Sequence, residues 1–313
     1  MDILVTGGAG FIGSHLCEAL VEQGHRVTCL DDFSAGSRAN LGQATAVEIV
    51  TGDVNDLHTF TKIKQRNFDA VFHYAATVGV ERTEKHPDNV LEDAVGIAHI
   101  ARLARAGRFK KVIFASSSEV YGPSQTLPES EGNPLLGQTP YALVKRYGEL
   151  TMQSLWRMHH IPAVALRFFN VYGPRQVDTL ADAFVVARFI NQVRGGVAPS
   201  LMDGGRQTRD LVYVKDNVKA ALAALGQPEA NGEIINVGTG REVSIAEIAY
   251  EVIRQLHSQS SLIPQAIPGR TRDITRRRAD TAKMERLLGM VCETTFTEGL
   301  KETIQSQAWT KTT

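Results

Sequence analysis

The chain has 313 residues, 43% of them hydrophobic and 22% charged, the make-up of an ordinary globular protein with room for one large α/β domain and a smaller lobe. Lysine plus arginine and aspartate plus glutamate each number 34, so no net charge favours nucleic acid or an anionic membrane, and any anion site must be local. Three scattered cysteines, Cys17, Cys29 and Cys292, lack CxxC spacing, which argues against a metal site or disulfide framework and fits a reducing cytoplasm.

The apolar run Ile3-Leu4-Val5 begins close to Met1, so no secretory leader is expected, and no stretch of about 18 apolar residues is present to span a bilayer. Strands are predicted at Ile3–Thr6, Val27–Leu30, Val47–Val50, Ala70–Tyr74, Val112–Ala115 and Ala163–Phe168. Helical patterns lie between them, near 12–23, 56–66, 89–106 and 141–160. Several strands are continuously apolar, as strands buried on both faces are, and the βαβα order predicts a doubly wound parallel (Rossmann) sheet. After Asn170 the rhythm breaks. A helix near 180–194, strands at Leu211–Val214 and Glu233–Val237, a helix near 216–225 and a largely helical tail from 244 follow. The expected division is 1–169 with 206–238 as the dinucleotide domain, and 170–205 with 239–313 as a smaller α/β substrate lobe.

Gly7-Gly8-Ala9-Gly10-Phe11-Ile12-Gly13 follows the first strand and opens a helix. Gly7 allows the tight turn, Gly10 lets backbone approach a pyrophosphate, and Gly13 lets helix and strand pack closely. The N–H groups of the first helical turn, from Phe11 and Ile12 onward, then face the phosphates. The second strand ends at Asp31-Asp32, where a carboxylate binds ribose hydroxyls and repels a 2′-phosphate, so NAD is expected rather than NADP. Asp53 and Val54, after the third strand, are placed for the adenine edge, and Tyr74-Ala75-Ala76, at the end of the fourth, are also assigned to the cofactor.

Tyr141 and Lys145 stand at i and i+4 on one helix face. An ammonium there favours phenolate and pulls the tyrosine towards neutrality, so that it accepts a hydroxyl proton while hydride leaves the same carbon. Ser116-Ser117-Ser118-Glu119-Val120-Tyr121-Gly122 lies at the carboxyl end of a strand, where α/β ligands bind.

With Arg167-Phe168-Phe169-Asn170-Val171-Tyr172-Gly173-Pro174, these motifs stand in an order that resembles the extended short-chain dehydrogenase/reductase family, in its nucleotide-sugar epimerase/dehydratase branch. The resemblance covers nearly the whole chain. It implies Ser117, Tyr141 and Lys145 as the catalytic set, with Lys145 also on the nicotinamide ribose. It further implies Asn170, Arg209 and Arg270 on the diphosphate of a nucleotide-sugar, most simply a UDP-hexose, with Asp273, three after Arg270, among the substrate-binding residues, and a homodimer formed through the helices near 89–106 and 141–160. No metal, nucleic-acid or membrane partner is expected. Arg276-Arg277-Arg278 is read as a solvated basic face. Where the family shows Asn in an N-V-x-G-T pattern, this chain has Asp93, which puts an unexpected carboxylate near the nicotinamide loop.

All branches oxidise C4 of the sugar and then diverge. Glu119, with Ser118 beside it, suits removal of a C5 proton, as dehydration or decarboxylation requires. Against that, decarboxylases resembling this chain carry Arg where it has Gln138, uronate epimerases often carry Thr at the place of Asn170, and many 4,6-dehydratases carry Asp at the place of Ser118. A 4-epimerase is therefore expected first, a dehydratase second and a decarboxylase third. A silent NAD-binding scaffold is disfavoured because Tyr141 and Lys145 are both present, and a reductase of small ketones because Arg209 and Arg270 have no use there.

Overall fold

The computed structural model describes residues 1–42, 46–63, 66–78, 87–124, 126–176, 184–256, 262–268 and 274–306. The strands in chain order are β1 (Asp2–Thr6), β2 (Arg26–Asp31), β3 (Val47–Thr51), β4 (Ala70–His73), β5 (Val112–Ser117), β6 (Ala163–Phe168), β7 (Asn170–Tyr172), β8 (Ser200–Met202), β9 (Thr208–Arg209), β10 (Leu211–Tyr213), β11 (Ile234–Val237), β12 (Val243–Ser244) and β13 (Gln265–Ile267). The helices are α1 (Phe11–Glu22), α2 (Pro87–Arg105), α3 (Pro140–His159), α4 (Val185–Arg194), α5 (Val214–Gly226), α6 (Ile245–Gln255), α7 (Ala282–Leu288) and α8 (Phe296–Gln305).

Seven strands form one sheet in the order β11-β6-β5-β4-β1-β2-β3, all parallel. Every residue of β4, β5 and β6 is buried, as the unbroken apolar runs require when helices cover both faces. The strand period of two divides β1 between the layers. Ile3 and Val5 join Leu16, Leu20 and Ala221 of α1 and α5, while Leu4 joins Ile97, Val144 and Met152 of α2 and α3. Strand order reverses at β1, so a crevice opens at the carboxyl ends of β1 and β4, the place where such sheets bind ligands.

A third core gathers Tyr172, Phe189, Ile190, Leu211, Ile248, Val252 and Leu300 around α4, α6 and α8. Its strands come in pairs, β7 with β10, β9 with β12 and β8 with β13. The β8–β13 pairing was not foreseen, because three exposed residues carry no apolar pattern.

Two expected elements differ. The segment near 56–66 is a 3₁₀ stretch, Leu57–Ile63, rather than an α-helix. Thr59, Thr61 and Ile63 are β-branched and disfavour an α-helix, and Asp56 turns its side chain back onto the His58 N–H. The helix predicted from 180 begins at Val185, and residues 180–183 lie outside the described residues.

Candidate active site

The glycine turn brings β1, α1 and β4 together. Gly7 has φ +69°, and a Cβ there would lie 2.6 Å from the Ala75 nitrogen. At Gly13 a Cβ would lie 2.1 Å from the Gly7 oxygen, so the chain admits only glycine at this crossing. Gly10 stands at the N-cap of α1 without a side-chain cap, which leaves the first-turn N–H groups at Phe11, Ile12 and Gly13 for an anion. Asp31, at the end of β2, is buried, and burial raises its carboxyl above the usual range. Its two oxygens accept from the Ala9 N–H at 2.9 Å and the Phe33 N–H at 2.8 Å, fixing the carboxylate beside the turn. Asp32 is exposed and accepts from the backbone and hydroxyl of Ser34. Asp53 is exposed and accepts from the Asn55 N–H at 2.8 Å, with Val54 buried beneath it. Tyr74 packs edge-on against Phe168, and within the described residues no donor or acceptor reaches its buried hydroxyl. Ala75 and Ala76 continue along the crevice floor, half-buried. An uncapped helix N-terminus beside an ordered carboxylate is a donor and acceptor set that fits the pyrophosphate and ribose of NAD.

The residues expected to be catalytic sit on β5, the turn after it, and α3. Thr139 caps α3 by accepting the Ala142 N–H at 3.1 Å, and Pro140 occupies the first turn, where its missing N–H costs nothing. Gly148 lets α3 settle onto β5, since a Cβ there would lie 2.2 Å from the Phe114 ring. Lys145 is thereby buried. Its Nζ donates to the Ala115 carbonyl at 2.8 Å and stands 5.4 Å from the Tyr141 ring centroid. Burial lowers the lysine to about 8, and Asp93 and Glu149 oppose that shift. Burial also pushes the Tyr141 phenol well up, against a hydrogen bond with Ser117 that lowers it. Desolvation thus opposes the expected pull of Tyr141 towards neutrality.

Ser117 ends β5 and accepts the Glu119 N–H at 3.2 Å. Ser118 is buried, and its carbonyl accepts from Arg277 Nη1 at 2.7 Å. Glu119 is 44% exposed, with Arg277 Nη2 at 3.5 Å. Asp93 is buried, and its Oδ2 accepts the Thr77 N–H at 2.7 Å. Asn170, on β7, is half-buried and tied through its backbone N–H to the Asp210 carbonyl. Arg209, on β9, donates to the carbonyls of Thr208 and Ile274. Arg270 and Asp273 lie outside the described residues.

Several residues behind the site escaped sequence reasoning. Glu149 accepts from Ser116, Arg146 and both ends of the Arg167 guanidinium. Arg167 Nη1 donates to Tyr121, Tyr121 donates to Asn236, and Asn236 donates to the Glu129 carbonyl. Glu129 in turn accepts from Arg277 at 3.1 Å. The solvated reading of Arg276-Arg277-Arg278 is corrected at its centre: Arg276 is exposed on Glu242, but Arg277 is 1% exposed. The signal was the alternation of an extended segment, which turns every second side chain inward, here Arg277 and Ala279.

A sequence profile of the NAD dependent epimerase/dehydratase family matches residues 3–238, and the chain belongs to that family. It is 36% identical to a UDP-N-acetyl-alpha-D-glucosaminuronate decarboxylase of Bacillus cytotoxicus, over 96% of each chain. It is 34% identical to a UDP-glucose 4-epimerase of Mycolicibacterium smegmatis, over 97% of this chain and 98% of that one. Among solved structures, the UDP-glucose 4-epimerase of Thermotoga maritima, determined with UDP-glucose, matches with a TM-score of 0.91 at 30% identity, over 97% of this chain and 98% of that one. The Rossmann fold and dependence on NAD follow from family and structure together.

Proposed function

We propose that this chain is a nucleotide-sugar 4-epimerase, with a UDP-hexose as substrate, working through a transient 4-keto sugar. NAD, when bound, supplies the acceptor for the C4 hydrogen and gives it back. Tyr141 takes the C4 hydroxyl proton, Ser117 shares it, and Lys145 supplies the cation beside the phenol. Reprotonation by Tyr141 after the sugar has turned yields the other epimer. Asn170, Arg209 and Arg270 are assigned to the diphosphate, which two arginines suit as bidentate donors, and Asp273 to the substrate.

The observation that carries the epimerase over its relatives is Ser118. It is a neutral residue at a place where many 4,6-dehydratases carry Asp, and the exposed Gln138 stands where decarboxylases carry Arg and offers no charge to a substrate carboxylate. A second reading, C5 chemistry ending in loss of water or carbon dioxide, is favoured by Glu119, a half-exposed carboxylate paired with Arg277 next to the catalytic turn. Incubation with UDP-glucose, UDP-N-acetylglucosamine, UDP-glucuronate and dTDP-glucose, read by NMR and mass, separates the two. A new epimer of unchanged mass supports the first reading, and loss of water or of carbon dioxide supports the second. Recovery of every sugar unchanged contradicts both.

We also propose a homodimer. Leu91 and Val95 on α2 and Leu143, Tyr147 and Leu150 on α3 are between 42% and 55% exposed at helical spacing, an apolar face that a second copy would cover.

A further inference from the structure

Behind the catalytic turn one guanidinium serves three acceptors. Arg277 donates to the Ser118 carbonyl at 2.7 Å and to Glu129 at 3.1 Å, and it reaches Glu119 at 3.5 Å. Glu129 is fully buried, and its backbone is fastened on both sides: its N–H donates to the Arg278 carbonyl, while its carbonyl accepts from Asp280 and from Asn236. Its side chain is less well served, because Oε1 has Arg277 but within the described residues no donor reaches Oε2. A buried carboxylate with an unpartnered oxygen is costly, and that cost weighs against the ionised form of Glu129.

We propose that Glu129 is a positioning residue for the catalytic turn: its carboxylate anchors Arg277, and Arg277 fixes the Ser118 carbonyl and thereby the Ser117 and Glu119 on either side of it. The inference rests on the 4-keto sugar reading for its catalytic consequence, but the anchoring itself does not. Burial pushes the Glu129 carboxyl up to about 7, against the pull of Arg277, while Glu119 and Asp210 face it with like charge and raise it further. A group titrating there passes from mostly protonated to mostly ionised between about pH 6 and about pH 8. Protonated, Glu129 loosens its hold and Arg277 shifts towards Glu119. Ionised, it completes the anchor and the turn is set, so turnover rises through neutral pH.

The test pairs two measurements on the NAD-loaded enzyme. Infrared titration of the wild type should show a protonated-carboxyl stretch that bleaches with a midpoint near 7 and is missing in Glu129→Gln. The pH profile of turnover should lose its rising limb in Glu129→Gln, with kcat at about pH 8 down about tenfold and KM within about twofold, whereas Glu129→Asp keeps the limb. Arg277→Lys, which retains the charge but cannot span both partners, should lose it as well. A wild type without the infrared band, or a Glu129→Gln enzyme with unaltered pH profile and kcat, overturns the proposal. A wild type that turns over no UDP-sugar would instead strike the functional reading, and the infrared titration would still decide whether Glu129 holds this proton.

Discussion

Burial as much as identity would set the chemistry proposed for Tyr141, Lys145 and Ser117. Desolvation raises the phenol and lowers the lysine to about 8, each shift working against the charged form of its group. The lysine is useful only while charged. Turnover should therefore fall as pH rises through about 8, and Lys145→Arg, which keeps its charge, should lack that falling limb even at a reduced rate. Tyr141→Phe should abolish turnover while leaving the fold and NAD binding intact; retained activity would exclude it as the proton acceptor. Glu119→Gln separates the branches, since it should be nearly silent in an epimerase and severe where a C5 proton is removed. At this scale the sequence disclosed residue types and order, because Gly7, Asp31, Tyr141 and Lys145 each answer a fixed chemical demand. It did not disclose the electrostatic balance, which depends on what lies over Tyr141 and on the Ala115 carbonyl that Lys145 finds 30 positions away.

The elements place these groups through a few close contacts. Helix α3 lies on β5 because Gly148 leaves room for the Phe114 ring, and Lys145 sits over that same ring at 5.1 Å. Gly148→Ala should force the two apart and cost about 1–3 kcal/mol in chemical unfolding, with kcat falling alongside stability. One turn further along α3, Glu149 ties the helix to β6 through the buried Arg167. Removing one partner of such a pair strands a charge, so Glu149→Ala should cost about 3–5 kcal/mol. Unchanged stability in either variant would show that these contacts do not hold the helix in place. Continuous apolar runs made β4, β5 and β6 legible before any coordinates, since nothing else buries Val112–Phe114 on both faces. The Leu57–Ile63 stretch misled because its apolar residues keep a helical rhythm while its β-branched residues do not favour one. Arg277 misled because its neighbours on both sides are charged, and only the extended backbone shows that it points inward.

Across the whole molecule, the sheet's reversal at β1 brings the glycine turn and the catalytic turn to one crevice, with Ser117 at the carboxyl end of β5 and α3 crossing behind it. The chain of hydrogen bonds from Glu149 through Arg167, Tyr121 and Asn236 to Glu129 joins that helix to the segment carrying Arg277, so the parts of the site are braced against each other. The apolar face of α2 and α3 predicts a dimer in sedimentation, and a monomer at micromolar concentration would contradict the assignment of that face. The central claim, oxidation and return of hydrogen at C4 by Ser117, Tyr141 and Lys145, is tested most directly with UDP-glucose deuterated at C4. The account predicts UDP-galactose with the deuterium still on C4, in inverted configuration, and no reaction in Tyr141→Phe. Deuterium found at C6, or lost to solvent, would contradict it.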